Sequence, residues 1–109
     1  MKRIRIGHAD CGQYGQPGQR ITCEEISIWR LSNSTYQVDV RQSSGTNQGH
    51  PHWDTDCTYT VLGIELKDAL DAAVALIETI PECVLKRALI IAGSQAEVWL
   101  WGKQSSSTR

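Results

Sequence analysis

Residues 26 to 42, ISIWRLSNSTYQVDVRQ, constrain this chain more than any other stretch, because two β-prone runs flank the turn-forming pair Asn33-Ser34. With a two-residue turn, Leu31 faces Tyr36, Trp29 faces Val38 and Ser27 faces Val40, which gathers the large apolar side chains on one face. The other face then holds Ile26, Ile28, Arg30, Gln37, Asp39 and Arg41. One face is core and the other is mixed.

More strands follow from the same alternation. Residues 2 to 6 place Ile4 and Ile6 opposite Arg3 and Arg5, the pattern of a short half-buried strand. Residues 7 to 19, GHADCGQYGQPGQ, read as a glycine-rich loop. Residues 20 to 31 are strand-like, but Ile21 and Cys23 are out of phase with Ile26 and Ile28, so a bulge near Glu24 and Glu25 is expected. Residues 45 to 57, GTNQGHPHWDTDC, read as a long polar connection into a strand, CTYTVLGI. Residues 65 to 79 form the best helix, since Leu66, Ala69, Leu70, Ala73, Val74, Ile77 and Ile80 recur at three- and four-residue spacing, and Pro81 ends it.

Residues 86 to 101 admit a helix or a hairpin around Gly93-Ser94. The β-rich runs in RALIIAGSQAEVWLW favour the hairpin, and both readings make 97 to 101 a strand. The expected architecture is α+β: an antiparallel sheet of four to six strands with one main amphipathic helix, about 65–79, packed on one face. Residues 1–101 are expected to form a single globular domain and 102–109 a flexible C-terminal tail.

A chain of 109 residues removes enough surface from water to fold without a disulfide or a metal, so no cofactor is expected. The 11 Lys and Arg against 12 Asp and Glu deny it the broad basic field of a general nucleic-acid coat. No stretch approaches the roughly 18 apolar residues of a membrane span, and the N-terminus lacks the apolar core of a secretion signal. The chain is therefore read as cytoplasmic, with reduced cysteines and no membrane partner. Charge is uneven: from 54 to 82, Asp54, Asp56, Glu65, Asp68, Asp71, Glu78 and Glu82 stand against Lys67 alone.

Several chemistries compete for the polar segments. His50, His52 and Cys57 offer metal ligands, but without the paired spacing of a zinc module. Cys57 with His52 and Asp54, or Cys11 with His8, provide a nucleophile and a base, but no oxyanion hole or nucleophile elbow accompanies either cysteine. The glycines of residues 7 to 19 precede a strand and not a helix, unlike a phosphate loop. Three antiparallel strands followed by an amphipathic helix, over residues 20 to 80, form an order that resembles the small β-sheet DNA readers of the AP2 and integrase-arm type. That resemblance implies a nucleic-acid surface on the exposed sheet face, where Arg30 and Arg41 are the candidate contacts.

Protein binding requires no missing part. Trp53 sits in a hydrophilic stretch beside Pro51, where an aromatic residue is the usual anchor of an interface with a polar rim. The expected function is thus a small non-enzymatic protein-binding module, an inhibitor, immunity or accessory protein of a mobile element or toxin system. Its candidate surface comprises Trp53, His50, His52, Asp54, Asp56, Asp68, Asp71 and, in the glycine loop, Tyr14. Nucleic-acid binding is the alternative, and a metal-binding or cysteine enzyme is the third reading. The oligomeric state is left open.

Overall fold

The structure, a computed structural model, describes residues 2–13, 18–80 and 85–107, and for 11–13 and 104–107 the backbone alone. Strands β1 (Arg3–Gln13), β2 (Arg20–Leu31), β3 (Tyr36–Asn47) and β4 (Pro51–Gly63) form one antiparallel sheet in the order β1-β2-β3-β4. Two helices follow among the described residues, α1 (Leu66–Ile77) against β3 and β4, and α2 (Leu85–Ser107) against β1 and β2. The α+β class expected from sequence is correct. The strands among the described residues number four, and the helices share one side of the sheet.

The β2–β3 hairpin differs from expectation by one residue, and this exchanges the faces of β2 while β3 keeps its own. Leu31 donates its N–H to the Thr35 carbonyl at 2.9 Å, and the Ser34 N–H reaches the Leu31 carbonyl, so the loop has three residues, Ser32 to Ser34. Ser34 adopts a φ of 67°, the left-handed conformation such a loop requires. The Asn33 carboxamide oxygen accepts from the Thr35 N–H and hydroxyl and holds the turn in place. The register is therefore Ile28↔Val38 and Ile26↔Val40, and not Trp29 opposite Val38. A slip of one residue exchanges the faces of a strand. Ile26 and Ile28 accordingly join Tyr36, Val38 and Val40 in the core under the helices. Trp29 lies on the outer face, where its indole N–H donates to Asp39 Oδ2 at 3.1 Å and its ring carries the Arg3 guanidinium at 3.8 Å.

The bulge expected near Glu24 and Glu25 is absent from the β2–β3 ladder, which runs unbroken from Arg20↔Thr46 to Arg30↔Tyr36. The irregularity lies in β1, between Arg5 and Gly7. The out-of-phase apolar residues of β2 instead lie on two faces: Ile26 and Ile28 under the helices, and Ile21, fully buried, outside that core.

Residues 85 to 107 are one helix and not a hairpin, and 97 to 101 are not a strand; the segment read as a tail is helical through Ser107. Leu85, Ala88, Leu89, Ala92 and Ala96 are buried, at helical spacing that continues through Gly93 to the partly buried Trp99 and Leu100. The alanine stripe decides the outcome. Alanine favours helix, and its small side chain lets α2 settle closely on β1. At the contact, Gly7 has no room for a Cβ beneath the Ala92 carbonyl. The β-prone residues Val98 and Trp101, by contrast, point outward and are about 70% exposed, at 69% and 73%.

The two polar segments read as loops are mostly strand. β1 continues through Gln13, and the connection between β3 and β4 is only residues 48 to 50. Farther along, the sheet continues as an arm made of 20–25, 41–47 and 51–58, with the end of β1 paired along 22–25, and none of the described side chains there belongs to the main core. The molecule is correspondingly long, 56 × 26 × 26 Å.

Candidate functional site

The residues singled out from sequence do not share one surface. His52, Trp53, Asp54 and Asp56 lie on the arm in β4, His50 in the turn before it, and Tyr14 outside the described residues. Asp68 and Asp71 lie on α1, whose Ala69 backbone meets Gly63 at the other end of β4. Nine residue steps along the strand separate Asp54 from Gly63, or roughly 30 Å.

The carboxylates are engaged locally. Arg20 donates to Asp54 Oδ2 at 2.9 Å, and Arg41 grips Asp56 with two donors, at 2.9 and 2.7 Å, while Ser43 adds a third hydrogen bond at 3.0 Å. The Arg41 hydrogen bonds hold the Asp56 carboxyl below its usual range, and Asp56 in turn holds the Arg41 guanidinium still more firmly protonated. Lys67 donates to Asp71 at 2.7 Å, and Asp68 accepts from the Glu65 N–H, closing the first turn of α1. The acidic run is thus several separate ion pairs and a helix cap.

Trp53 stands where β4 departs from regular pairing. Ser44 pairs with Thr55 and Gly45 with Trp53, so Asp54 is a bulged residue, free to turn toward Arg20. Gly45 is required there because any Cβ would strike the His52 carbonyl. Register puts Ile21, Gly45 and Trp53 in one row across three strands, with no side chain in the middle position. Trp53 also borders a small hollow of about 130 Å³ with Cys23, Glu25, Arg41 and Ser43.

Arg30 and Arg41, the candidate nucleic-acid contacts, fall on opposite faces. Arg30 lies on the helix side, near the rings of Tyr36 and Trp99, whereas Arg41 lies on the outer side between Asp56 and Glu25. No group of three or more His, Cys, Asp or Glu side chains among the described residues could hold a metal ion. Cys57 is an exposed free thiol beside Tyr59, whose hydroxyl pKa is raised mainly through their hydrogen bond. His8 Nε2 lies 2.8 Å from Glu25 Oε1 on the outer face, away from that thiol.

The feature that sequence reasoning missed is a backbone one. Because the Leu31 N–H points to Thr35, the odd-numbered residues of β3 direct their backbone groups to β2 and the even-numbered ones to β4. In β4 the odd residues from Thr55 to Gly63 therefore turn to β3, and Asp56, Thr58, Thr60 and Leu62 turn their N–H and C=O groups outward. Nothing among the described residues meets these groups. The opposite edge is treated differently: α2 lies along β1, and Gln95 accepts the outward His8 N–H at 2.9 Å. The β-prone run TYTVL signalled the strand, but only topology makes it an edge.

Comparison with known proteins returns no matching family model, no matching curated protein and no matching solved structure.

Proposed function

We propose that this is a non-enzymatic protein-binding module that takes up an extended segment of a partner protein as a fifth strand along β4. The observation that carries the reading is the outward row of backbone donors and acceptors at Asp56, Thr58, Thr60 and Leu62, unpaired among the described residues. Edge strands are ordinarily blunted by charge, proline or bulges. In β4 the bulge and Pro51 lie at the arm end, and residues 57 to 63, CTYTVLG, carry no charge. A docked strand would find Thr58, Thr60 and Leu62 along one face and Cys57, Tyr59 and Val61 along the other, which suits an alternating β-prone segment. Sequestering such a segment is how an inhibitor, immunity or accessory protein would act.

The test is selection of a displayed peptide library on the full chain. The selected peptides should be alternating and β-prone, and binding should slow hydrogen exchange at the Thr58 and Thr60 amides. Thr58→Pro removes one outward donor without touching the ladder to β3, and should weaken binding at least about tenfold, whereas Thr58→Val should not. Peptides that bind Thr58→Pro as well as the parent, or failure to select any, would count against the reading.

A further inference from the structure

We infer that a second site, at the opposite end from the arm, binds a small organic phosphate of mononucleotide size. Where β1 begins, the β2–β3 turn closes and α2 passes, a cavity of about 650 Å³ opens, within the range of small-ligand pockets. Its lining includes Lys2, Arg30, Lys103, Ile4, Leu31 and Trp99, and no carboxylate among the described residues. Arg3 also borders it, but its guanidinium is stacked on Trp29, 3.9 Å from Asp39.

Among the described residues none of the three remaining cations has a carboxylate partner, unlike Arg20, Arg41 and Lys67. Arg20, Arg41 and Lys67 each meet a carboxylate within 3 Å, at 2.9, 2.7 and 2.7 Å. Arg30 instead sits 5.4 Å from the Tyr36 ring and 5.9 Å from the Trp99 ring, and Lys103 sits 5.7 Å from the same indole. The Arg30 Nε is sealed from solvent with no hydrogen-bond partner, a costly state for a charged group's donor. Gathering like charges without a counter-charge opposes folding unless an anion joins them. A phosphate monoester supplies two negative charges and acceptors suited to a guanidinium fork. Ile4 is 56% exposed and, with Leu31, offers the apolar wall against which a base or similar body can rest.

The same chemistry could come from a free nucleotide or from the phosphorylated end of a strand, and titration calorimetry on the full chain separates them. Probes are the four ribonucleoside 5′-monophosphates, adenosine, inorganic phosphate and a 5′-phosphorylated trinucleotide. At least one monophosphate should bind, and should lose at least about tenfold in affinity with the Lys2→Gln/Lys103→Gln double variant, whose changes fall on exposed side chains. Adenosine and inorganic phosphate should each bind more weakly than the monophosphate, since each lacks half the ligand. A trinucleotide tighter than every monophosphate assigns the source to a strand end, and the reverse order assigns it to a free nucleotide; either order supports the site. No binding by any phosphorylated probe, equal binding of adenosine and its monophosphate, equal binding of inorganic phosphate, or a double variant indistinguishable from the parent overturns the inference.

Discussion

The helix-backed half of the sheet and the arm are continuous strands, yet they are held by different forces. Under the helices, Ile26, Ile28, Val38 and Val40 meet the buried faces of α1 and α2, and the stabilisation is apolar burial. On the arm the cross-strand contacts are largely polar: Arg20 with Asp54, Arg41 with Asp56, Ser43 with Asp56, Ser44 with Thr55. Exposed ion pairs contribute little, so the arm should lie at the low-stability end of the molecule. The difference sets a firmly packed scaffold beside a more loosely held extension of the same sheet. It also predicts that equivalent injuries will read out differently in the two halves.

The largest effect should come from truncating a fully buried isoleucine. Ile28→Ala removes side-chain packing from the main core and should lower global stability by about 2–5 kcal/mol, measured by urea denaturation. Ile21→Ala, on the arm and outside that core, should leave the global midpoint much less affected while speeding hydrogen exchange across 21 to 24 and 42 to 46. Equal global losses from the two would mean that the arm and the helix-backed half unfold as one unit.

A second pair compares the glycines at close backbone approaches. Gly7→Ala forces β1 and α2 apart where the alanine stripe seats the helix, and should cost about 1–3 kcal/mol globally. Gly45→Ala meets the His52 carbonyl on the arm, so its damage should be confined to the pairing of β3 with β4 beyond Ser44. Circular dichroism melts and amide exchange on the two variants distinguish these outcomes. A smaller gain is expected at Ser34, held at a φ of 67°: Ser34→Gly relieves the left-handed strain and should raise stability by up to about 1 kcal/mol, seen as a higher urea midpoint.

The two halves also differ in how legible they were. α1 is plain, because its apolar residues recur at helical spacing and its buried set, Leu66, Ala69, Ala73 and Ile77, falls within the expected stripe, from which Val74 alone is exposed. The hairpin was plain as a hairpin but not in register, since SNST contains no glycine to reveal that Ser34 takes the left-handed place. One unseen loop residue then sent Trp29 outward and the two isoleucines inward. α2 was misread because Ile90, Ile91, Val98 and Trp101 outweigh the small alanines that carry the periodicity, and those larger residues are exposed. The arm reads as loop for a physical reason: its strands are mostly polar and lack apolar alternation, with Ile21 a lone fully buried aliphatic side chain, so they leave little trace in the sequence. Trp53 stands out in the sequence, but its setting, a bulge beside Gly45, depends on pairing between distant residues. The β4 edge was invisible for the same cause.

The smallest expected effect bears most directly on what holds the arm. The Arg41 hydrogen bonds lower the Asp56 carboxyl below its ordinary 3.8, so the folded arm favours the ionised form. The sign follows: this contribution is complete above the ordinary value and is lost as pH falls through the depressed one, so it is constant at neutral pH and disappears only in acid. Carboxyl-carbon NMR should give Asp56 a midpoint below 3.8 in the parent and a return toward 3.8 in Arg41→Gln, where Ser43 alone still donates. Global stability at neutral pH should change less than with any substitution under the helices, because both partners lie in solvent. An Arg41→Gln chain that lost as much stability as Ile28→Ala would instead make this ion pair a main support of the fold, and the arm would no longer be the loosely held half.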